Sequence, residues 1–266
     1  MSATTERKRY PEWHWSQWPV SDEAVDAHLR LASDVYRRTR FDIFRRLVGR
    51  DLRGKTVLDY GGGAGLLAVR CAEQGARVTL LDPEPNSLGI ARLLAQRRGV
   101  SERVETVRAE SLPPSVAGRR YDLVVLMDVI EHLPDDGGVL RAVARCQQPG
   151  DRLFVSTQNR LSLNYLLEGT YHKKWLREED WCGWDPTHLR FYTPGSLRRR
   201  LAQAGYRPTR WWGMFIVPYN ILSWLVLLRR NLQWSGLHRL DLALGGVFPF
   251  NRLGWSLIVL AERAGA

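Results

Sequence analysis

Five short stretches of the 266-residue chain concentrate residues able to bind or react. "VLDYGGGAG", residues 57 to 65, ends a hydrophobic run in Asp59 and the glycines Gly61, Gly62, Gly63 and Gly65. Gly61 and Gly63 allow main chain to approach a ligand closely, in dihedrals closed to other residues. A helix beginning near Ala64 would offer its N-terminal amides to the same ligand. Asp82, followed by Pro83, stands twenty-one residues after Gly61 at the end of the next β-rich run. An acidic side chain there can accept hydrogen bonds from both hydroxyls of a ribose. "AESLP" adds Glu110 and Ser111, "LVVLMDVIEHLP" adds Met127, Asp128 and His132, and "DPTHLRFYTP" adds His188.

A glycine loop after a strand suggests a dinucleotide, but two residues argue otherwise. A dinucleotide loop needs a small residue three after Gly63 for close helix–strand packing, and position 66 is leucine. Asp59 would also repel a pyrophosphate. A carboxylate in that place suits a cationic ligand with an amino group and no phosphate, and S-adenosylmethionine is such a ligand.

The elements that must position these residues follow from periodicity. Residues 21 to 50 read as helix, capped by Ser21 or Asp22. After Gly54 come short β-rich runs, "TVLDY", "RVTLLD", "RVETVRAE", "YDLVVLMD" and "DRLFVST". Helical stretches at 64–74, 86–98 and 137–147 separate most of them. The alternation predicts right-handed crossovers and a parallel sheet with helices on both faces. "SLRRRLAQAG" reads as a further helix, and "YRPTRWWGMFIV" and "GWSLIVLAER" as two more strands. The expected fold is α/β, Rossmann-like and doubly wound: a seven-stranded, mostly parallel sheet with a helical N-terminal cap and an apolar C-terminal insert. The division expected is a cap over 1–50, a nucleotide-binding core over 51–160, and an acceptor-side segment with the insert and final strands over 161–266.

"VLDYGGGAG", "VTLLDPEP", "AESLP" and "YDLVVLMDVIEHLP" occur in the order and spacing of the class I S-adenosylmethionine-dependent methyltransferases, which this sequence resembles from about residue 36 to 215. The quinone-biosynthesis O-methyltransferase group is the nearest subgroup. The resemblance implies that Asp59, Gly61, Gly62, Gly63 and Gly65 line the methionine part of the cofactor. It implies that Asp82 with Pro83 holds the ribose, that Glu110 or Ser111 lies near the adenine, and that Met127 and Asp128 border the adenosine. Tyr60, where a small aliphatic residue is usual, and Gly62, where cysteine is common, depart from the pattern.

Methyl transfer is an in-line displacement, and an oxygen acceptor also needs a base or a metal. His188 is the first candidate base. His132 has a plainer reading as a hydrogen bond closing its loop. His172, Cys182, Asp185 and His188 match no zinc spacing, so no metal is expected. "MDVIEHLP" stands where amino-methyltransferases of nucleic acids and proteins carry an Asn/Asp-Pro-Pro-aromatic stretch, and no Pro-Cys nucleophile is present. A small-molecule acceptor follows, with methylation on oxygen preferred to nitrogen or carbon. A cofactor-binding subunit without catalysis is the alternative of another class.

All eleven tryptophans lie outside residues 19 to 174, and those of "WHWSQW", "WLREEDWCGW" and "TRWW" belong to segments that face the acceptor in the resembled family, which suits an apolar or aromatic acceptor. The net charge of +11 comes from thirty-five arginines and four lysines against twenty-eight acids. Ten of the arginines form five separated pairs and three form one triplet, which read as solvated faces rather than a nucleic-acid site. Three scattered cysteines and the lack of an apolar leader point to a cytoplasmic protein. The run 211–228 nears the length of a membrane span but is broken by Gly213, Pro218, Asn220 and Ser223. Residues 214–230, closed by Arg229 and Arg230, are therefore expected to cover a lipophilic acceptor or to touch a membrane surface peripherally.

Overall fold

The β-rich runs form seven strands: β1 (Thr56–Tyr60), β2 (Arg77–Asp82), β3 (Val104–Arg108), β4 (Leu123–Met127), β5 (Arg152–Gln158), β6 (Tyr206–Met214) and β7 (Ser256–Arg263). They make one sheet in the order β3-β2-β1-β4-β5-β7-β6. The structure, a computed structural model, describes residues 17–179, 181, 183, 185–217 and 235–265. β1 pairs in parallel with β2 and with β4, while β7 runs antiparallel between β5 and β6. Strand order reverses at β1 and β4, so a crevice opens beyond their carboxyl ends.

Central strands are apolar on both faces because helices cover both. Leu58, Val124, Leu126, Leu153 and Val155 face a layer holding Leu140 and Val143 of α6 (Asp136–Arg145) and Leu197 and Leu201 of α8 (Pro194–Gln203). Val57, Val125 and Phe154 face the opposite layer, with Ile43, Phe44 and Leu47 of α2 (Val35–Val48) and Ala68 and Cys71 of α3 (Leu66–Glu73). α4 (Pro85–Arg97) follows β2, and α9 (Ser235–Leu244) packs on α2. α7 (Leu163–Thr170) runs into a π turn over Tyr171–Trp175, which its periodicity does not announce.

The helix expected over 21–50 is two helices, α1 (Asp22–Ala32) and α2. Asp34 makes the break: in extended conformation its carboxylate accepts the Arg37 N–H at 2.7 Å and caps a new helix. The break frees α2 to lay its apolar stripe on the sheet.

Of the segment expected to meet acceptor or membrane, only Met214 to Val217 fall within the described residues, and Met214 and Phe215 are buried. Residues 218–230 lie outside them. Among the described residues no helix is long and apolar enough to cross a membrane.

Candidate active site

β1 carries Asp59 and Tyr60 to the carboxyl edge at the switch point, and the glycine loop follows. Gly61, Gly63 and Gly65 have φ of 72°, 55° and 75°, left-handed values that cost glycine little. The Gly61 N–H donates to Leu81 O at 2.7 Å, and Asp82 Oδ2 accepts the Gly63 N–H at 2.9 Å. Asp82 Oδ1 accepts the Glu84 N–H, also at 2.9 Å. Asp82 therefore braces the loop, and each oxygen keeps a lone pair for a ribose hydroxyl.

Local packing accounts for the glycine at 62 and for the leucine at 66. A Cβ on Gly62 would collide with Asp59 Oδ2 and Leu80 Cδ1, so the loop rests directly on the Asp59 carboxylate. A Cβ on Gly65 would come within 2.6 Å of Ala91 Cβ. Close helix packing thus falls to residue 65, and Leu66 is free to be large. Gly65 also begins α3 without a side-chain cap, leaving amides of its first turn available to a ligand.

Asp59 is buried, and its Oδ2 has no hydrogen-bond partner. Burial, with the charge of Asp82 second, pushes its pKa up to about 7. Burial also raises Asp82. Two desolvated carboxyls in one crevice favour a cation between them and oppose a phosphate.

Across the crevice stand Tyr36 and Arg40, a pair that the sequence reading passed over. Arg40 of α2 forms an ion pair with Asp128 Oδ2 at 2.5 Å, and its guanidinium lies 4.3 Å from the Tyr36 ring centroid. Arg40 Nε and Nη2 are buried without hydrogen-bond partners. Tyr36 stacks on Phe215 at 4.9 Å. Asp128 itself, just beyond β4, has φ 53°, a strained value for a non-glycine residue, and its Oδ1 accepts the Ser156 hydroxyl at 2.7 Å. The only sequence signal for the pair is its i, i+4 spacing on one helix face.

The other expected cofactor residues lie along the same edge. Pro83 and Met127 are half-buried at the ends of β2 and β4. Glu110 and Ser111 are exposed past β3, at the outer end of the rim.

On the β5 side the chain brings His132 and His188 together, with ring centroids 4.7 Å apart. The Leu189 N–H donates to Glu131 O at 2.9 Å, and the Tyr192 N–H to Gln158 O at 3.1 Å, which folds residues 185–192 over the ends of β4 and β5. Thr187 Oγ1 donates to Asp185 Oδ1 at 2.6 Å and lies 2.9 Å from His132 Nδ1. A hydroxyl whose hydrogen is given to Asp185 must accept from the imidazole. This arrangement puts the proton on Nδ1 and leaves Nε2 with a lone pair. Burial lowers the His132 pKa, against the charges of Asp185 and Asp128.

Glu131, also passed over in the sequence, is fully buried beneath the pair. Its Oε2 accepts from Thr157 at 2.9 Å, and Oε1 has no partner. Burial, then the Asp128 charge, raises its pKa well above the carboxylate range. Glu131, His132 and His188 each bring a donor atom to within 4.8 Å of the others, a spacing at which the three could surround one divalent cation. Of the metal set weighed in the sequence, His172 instead pairs with Glu178 at 2.6 Å, and Cys182 lies outside the described residues. Beside His188, Tyr165 and Phe191 pack at 4.6 Å, and Trp181 and Phe191 stack at 6.4 Å.

A doubly wound sheet with an acid before its glycine loop and no phosphate-binding character is the frame of a class I methyltransferase. The family model for the methyltransferase domain matches residues 31–210, and the chain belongs to that family of S-adenosylmethionine-dependent enzymes. It is 34% identical over 195 residues to the ubiquinone biosynthesis O-methyltransferase of Bordetella avium, covering 72% of this chain and 77% of that protein. Proteins of the same description from Aeromonas salmonicida and Serratia proteamaculans are 38% and 40% identical, over 49% and 51% of this chain. The matches span 60% and 62% of those two relatives' lengths. Among solved structures, the magnesium protoporphyrin IX methyltransferase of Synechocystis PCC 6803 with bound SAH superposes with a TM-score of 0.59 at 18% identity, over 91% of this chain and 95% of that one. An S-adenosylmethionine-dependent methyltransferase from Mesorhizobium loti gives 0.54 at 19% identity, over 85% and 98%.

Proposed function

We propose that the protein methylates an oxygen of a small apolar or aromatic molecule. The observation that carries this reading is the cluster of Glu131, His132 and His188 beside the cofactor crevice, with aromatic rings at its border. S-adenosylmethionine, when bound, supplies a methyl group on a sulfonium, open to in-line displacement. Asp59 receives its ammonium, Arg40 its carboxylate, and Asp82 its ribose. Met127 borders the adenosine, and Glu110 and Ser111 stand at the adenine end.

An acceptor hydroxyl beside the histidine pair gives up its proton to His188, or to the Nε2 lone pair of His132, as its oxygen attacks. Glu131, held protonated by burial, leaves the pair free of a permanent negative charge. Tyr165, Trp181 and Phe191 offer ring faces to an aromatic acceptor. The peripheral membrane contact expected of residues 214–230 belongs to the same reading, as the route of a lipophilic acceptor.

The separation of the three donors supports a second reading, in which they hold a divalent cation that lowers the acceptor's pKa. Incubation with S-adenosylmethionine and a panel of phenols and catechols, read by mass spectrometry, tests the proposal, with a chelator added in a parallel series. Gain of one CH₂ on a hydroxyl, unaffected by the chelator, is expected. Abolition by the chelator selects the metal reading. Transfer only to amines or carbon acids overturns O-methylation, and cofactor binding without turnover on any acceptor leaves a non-catalytic subunit.

A further inference from the structure

The positive charge of the chain is unevenly placed. Residues 186–261 hold ten arginines and one acid, Asp241. Asp241 is buried and occupied, its carboxylate accepting the N–H groups of Phe215 and Ile216 at 3.0 Å each. Among the described residues, three of these arginines have carboxylate partners: Arg190 and Arg200 pair with Asp136, and Arg207 with Glu262.

Arg198 and Arg252 have none among the described residues, and both line one pocket of about 470 Å³ with Leu161, Thr193 and Trp211. The Arg252 guanidinium lies 3.8 Å from the Trp211 ring centroid. Desolvation and then the charge of Arg198 hold its pKa below the ordinary arginine value. The position of Arg252 is fixed from the end of β5, where Asn159 Nδ2 donates to Arg252 O and to Gly254 O, both at 2.8 Å. The positive end of α8 adds to the field, although Thr193 and Ser196 already cap its first turn.

Two cations around one cavity repel each other unless an anion stands between them. Two guanidinium forks match the oxygens of a phosphate. Leu161, Pro194 and Trp211 make the rest of the wall largely apolar. Leu161 is exposed at the pocket, and Leu253, next to Arg252, is exposed as well. β6, which carries Trp211, lies three strand positions from β4, or roughly 14 Å at about 4.8 Å per strand, and none of the residues lining the pocket is among those placed in the methyl-transfer crevice.

We propose that this pocket binds the phosphate of an anionic phospholipid headgroup, with the lipid's apolar part lying over Leu161 and Leu253. The site does not depend on the identity of the methyl acceptor or on the reaction at the histidine pair.

The test uses the full chain with a short-chain phosphatidylglycerol below its micelle concentration, inorganic phosphate, and phosphatidylcholine vesicles with and without phosphatidylglycerol. Arg198→Gln/Arg252→Gln is compared with Arg207→Gln/Arg210→Gln, which removes the same formal charge from exposed positions of β6. The first variant should lose about tenfold or more in affinity for the short-chain lipid, the loss of at least one charge-assisted hydrogen bond. It should also lose sedimentation with the anionic vesicles, with S-adenosylhomocysteine affinity and melting temperature unchanged. The second should bind as the wild type does. Equal losses in both variants would show bulk charge and overturn the site. Inorganic phosphate binding as tightly as the lipid would make it a free-phosphate site and overturn the lipid assignment. If the double variant does not fold, Arg252→Lys keeps the charge and loses the fork on Trp211. Unchanged lipid affinity in that variant would equally overturn the proposal.

Discussion

Arg40 gives the most direct test of the cofactor crevice. Arg40→Gln removes the cation that pairs with Asp128 Oδ2 and the two buried donors, Nε and Nη2, that have no partner among the described residues. If these donors take the cofactor's carboxylate, their loss costs about 1.5–3 kcal/mol, the range for hydrogen bonds to charged groups. At about 1.4 kcal/mol per factor of ten, S-adenosylhomocysteine should bind roughly 10- to 100-fold more weakly. Folding stability changes too. Arg40 and Asp128 are 12% and 21% exposed, and Asp128 keeps its bond from Ser156. The cost should therefore fall below the ~3–5 kcal/mol of a fully buried broken pair. Titration calorimetry with two ligands separates the effects. Methylthioadenosine shares the adenosine but lacks the amino-acid end, so the variant should bind it with near wild-type affinity. Equal weakening toward both ligands would mean that Arg40 only holds the rim in shape, and an unchanged S-adenosylhomocysteine affinity would refute the assignment outright.

Asp82→Ala, in contrast, should weaken both ligands, by about 1.5–3 kcal/mol, since both carry the ribose; calorimetry showing loss for S-adenosylhomocysteine alone would remove Asp82 from the ribose. His188→Ala should lower kcat by about 10²–10⁴ with cofactor affinity nearly unchanged, and a loss confined to acceptor KM would make His188 a binding group. Two buried groups should tilt the pH dependence of stability in opposite directions. Burial lowers His28 to about 4, so between that value and about 6.5 the unfolded chain binds more protons, and this contribution to stability is lost as pH falls. Asp59, raised to about 7, binds its proton more tightly when folded, so its contribution is lost as pH rises from about 4 to 7. Denaturation across this window should therefore show His28→Leu gaining stability relative to wild type toward low pH and Asp59→Asn gaining it toward neutral pH; parallel profiles would contradict both assignments.

The parts of the site legible in the sequence lie within one chain segment and take their geometry from backbone period alone. Asp59, the glycines and Asp82 are of this kind: a strand ending in an acid, a turn that only glycine can make, and a second acid one βαβ unit later. The seven strands were readable for the same reason. Arg40 was not, because on α2 it stands among Arg37, Arg38, Arg45 and Arg46, and only the tertiary fold turns it to Asp128 rather than to solvent. The break at Asp34 that sets this facing is an ordinary cap inside a continuous helical pattern. Glu131 was hidden differently. It is buried because residues 185–192 return over the ends of β4 and β5, through the Leu189 N–H on its carbonyl, and helix or strand period in one segment does not encode that return. Arg198 and Arg252 combine both cases. The local excess of arginine over acid is a count that the sequence displays, while the meeting of these two at one pocket depends on Asn159 pinning the segment that carries Arg252. Cofactor chemistry, built on local turns, could thus be read from spacing, whereas the Glu131–His132–His188 cluster and the arginine pocket are assembled by contacts between distant segments. A substitution such as Asn159→Ala, distant in sequence from both arginines, should therefore disturb the phosphate pocket while leaving the glycine loop intact.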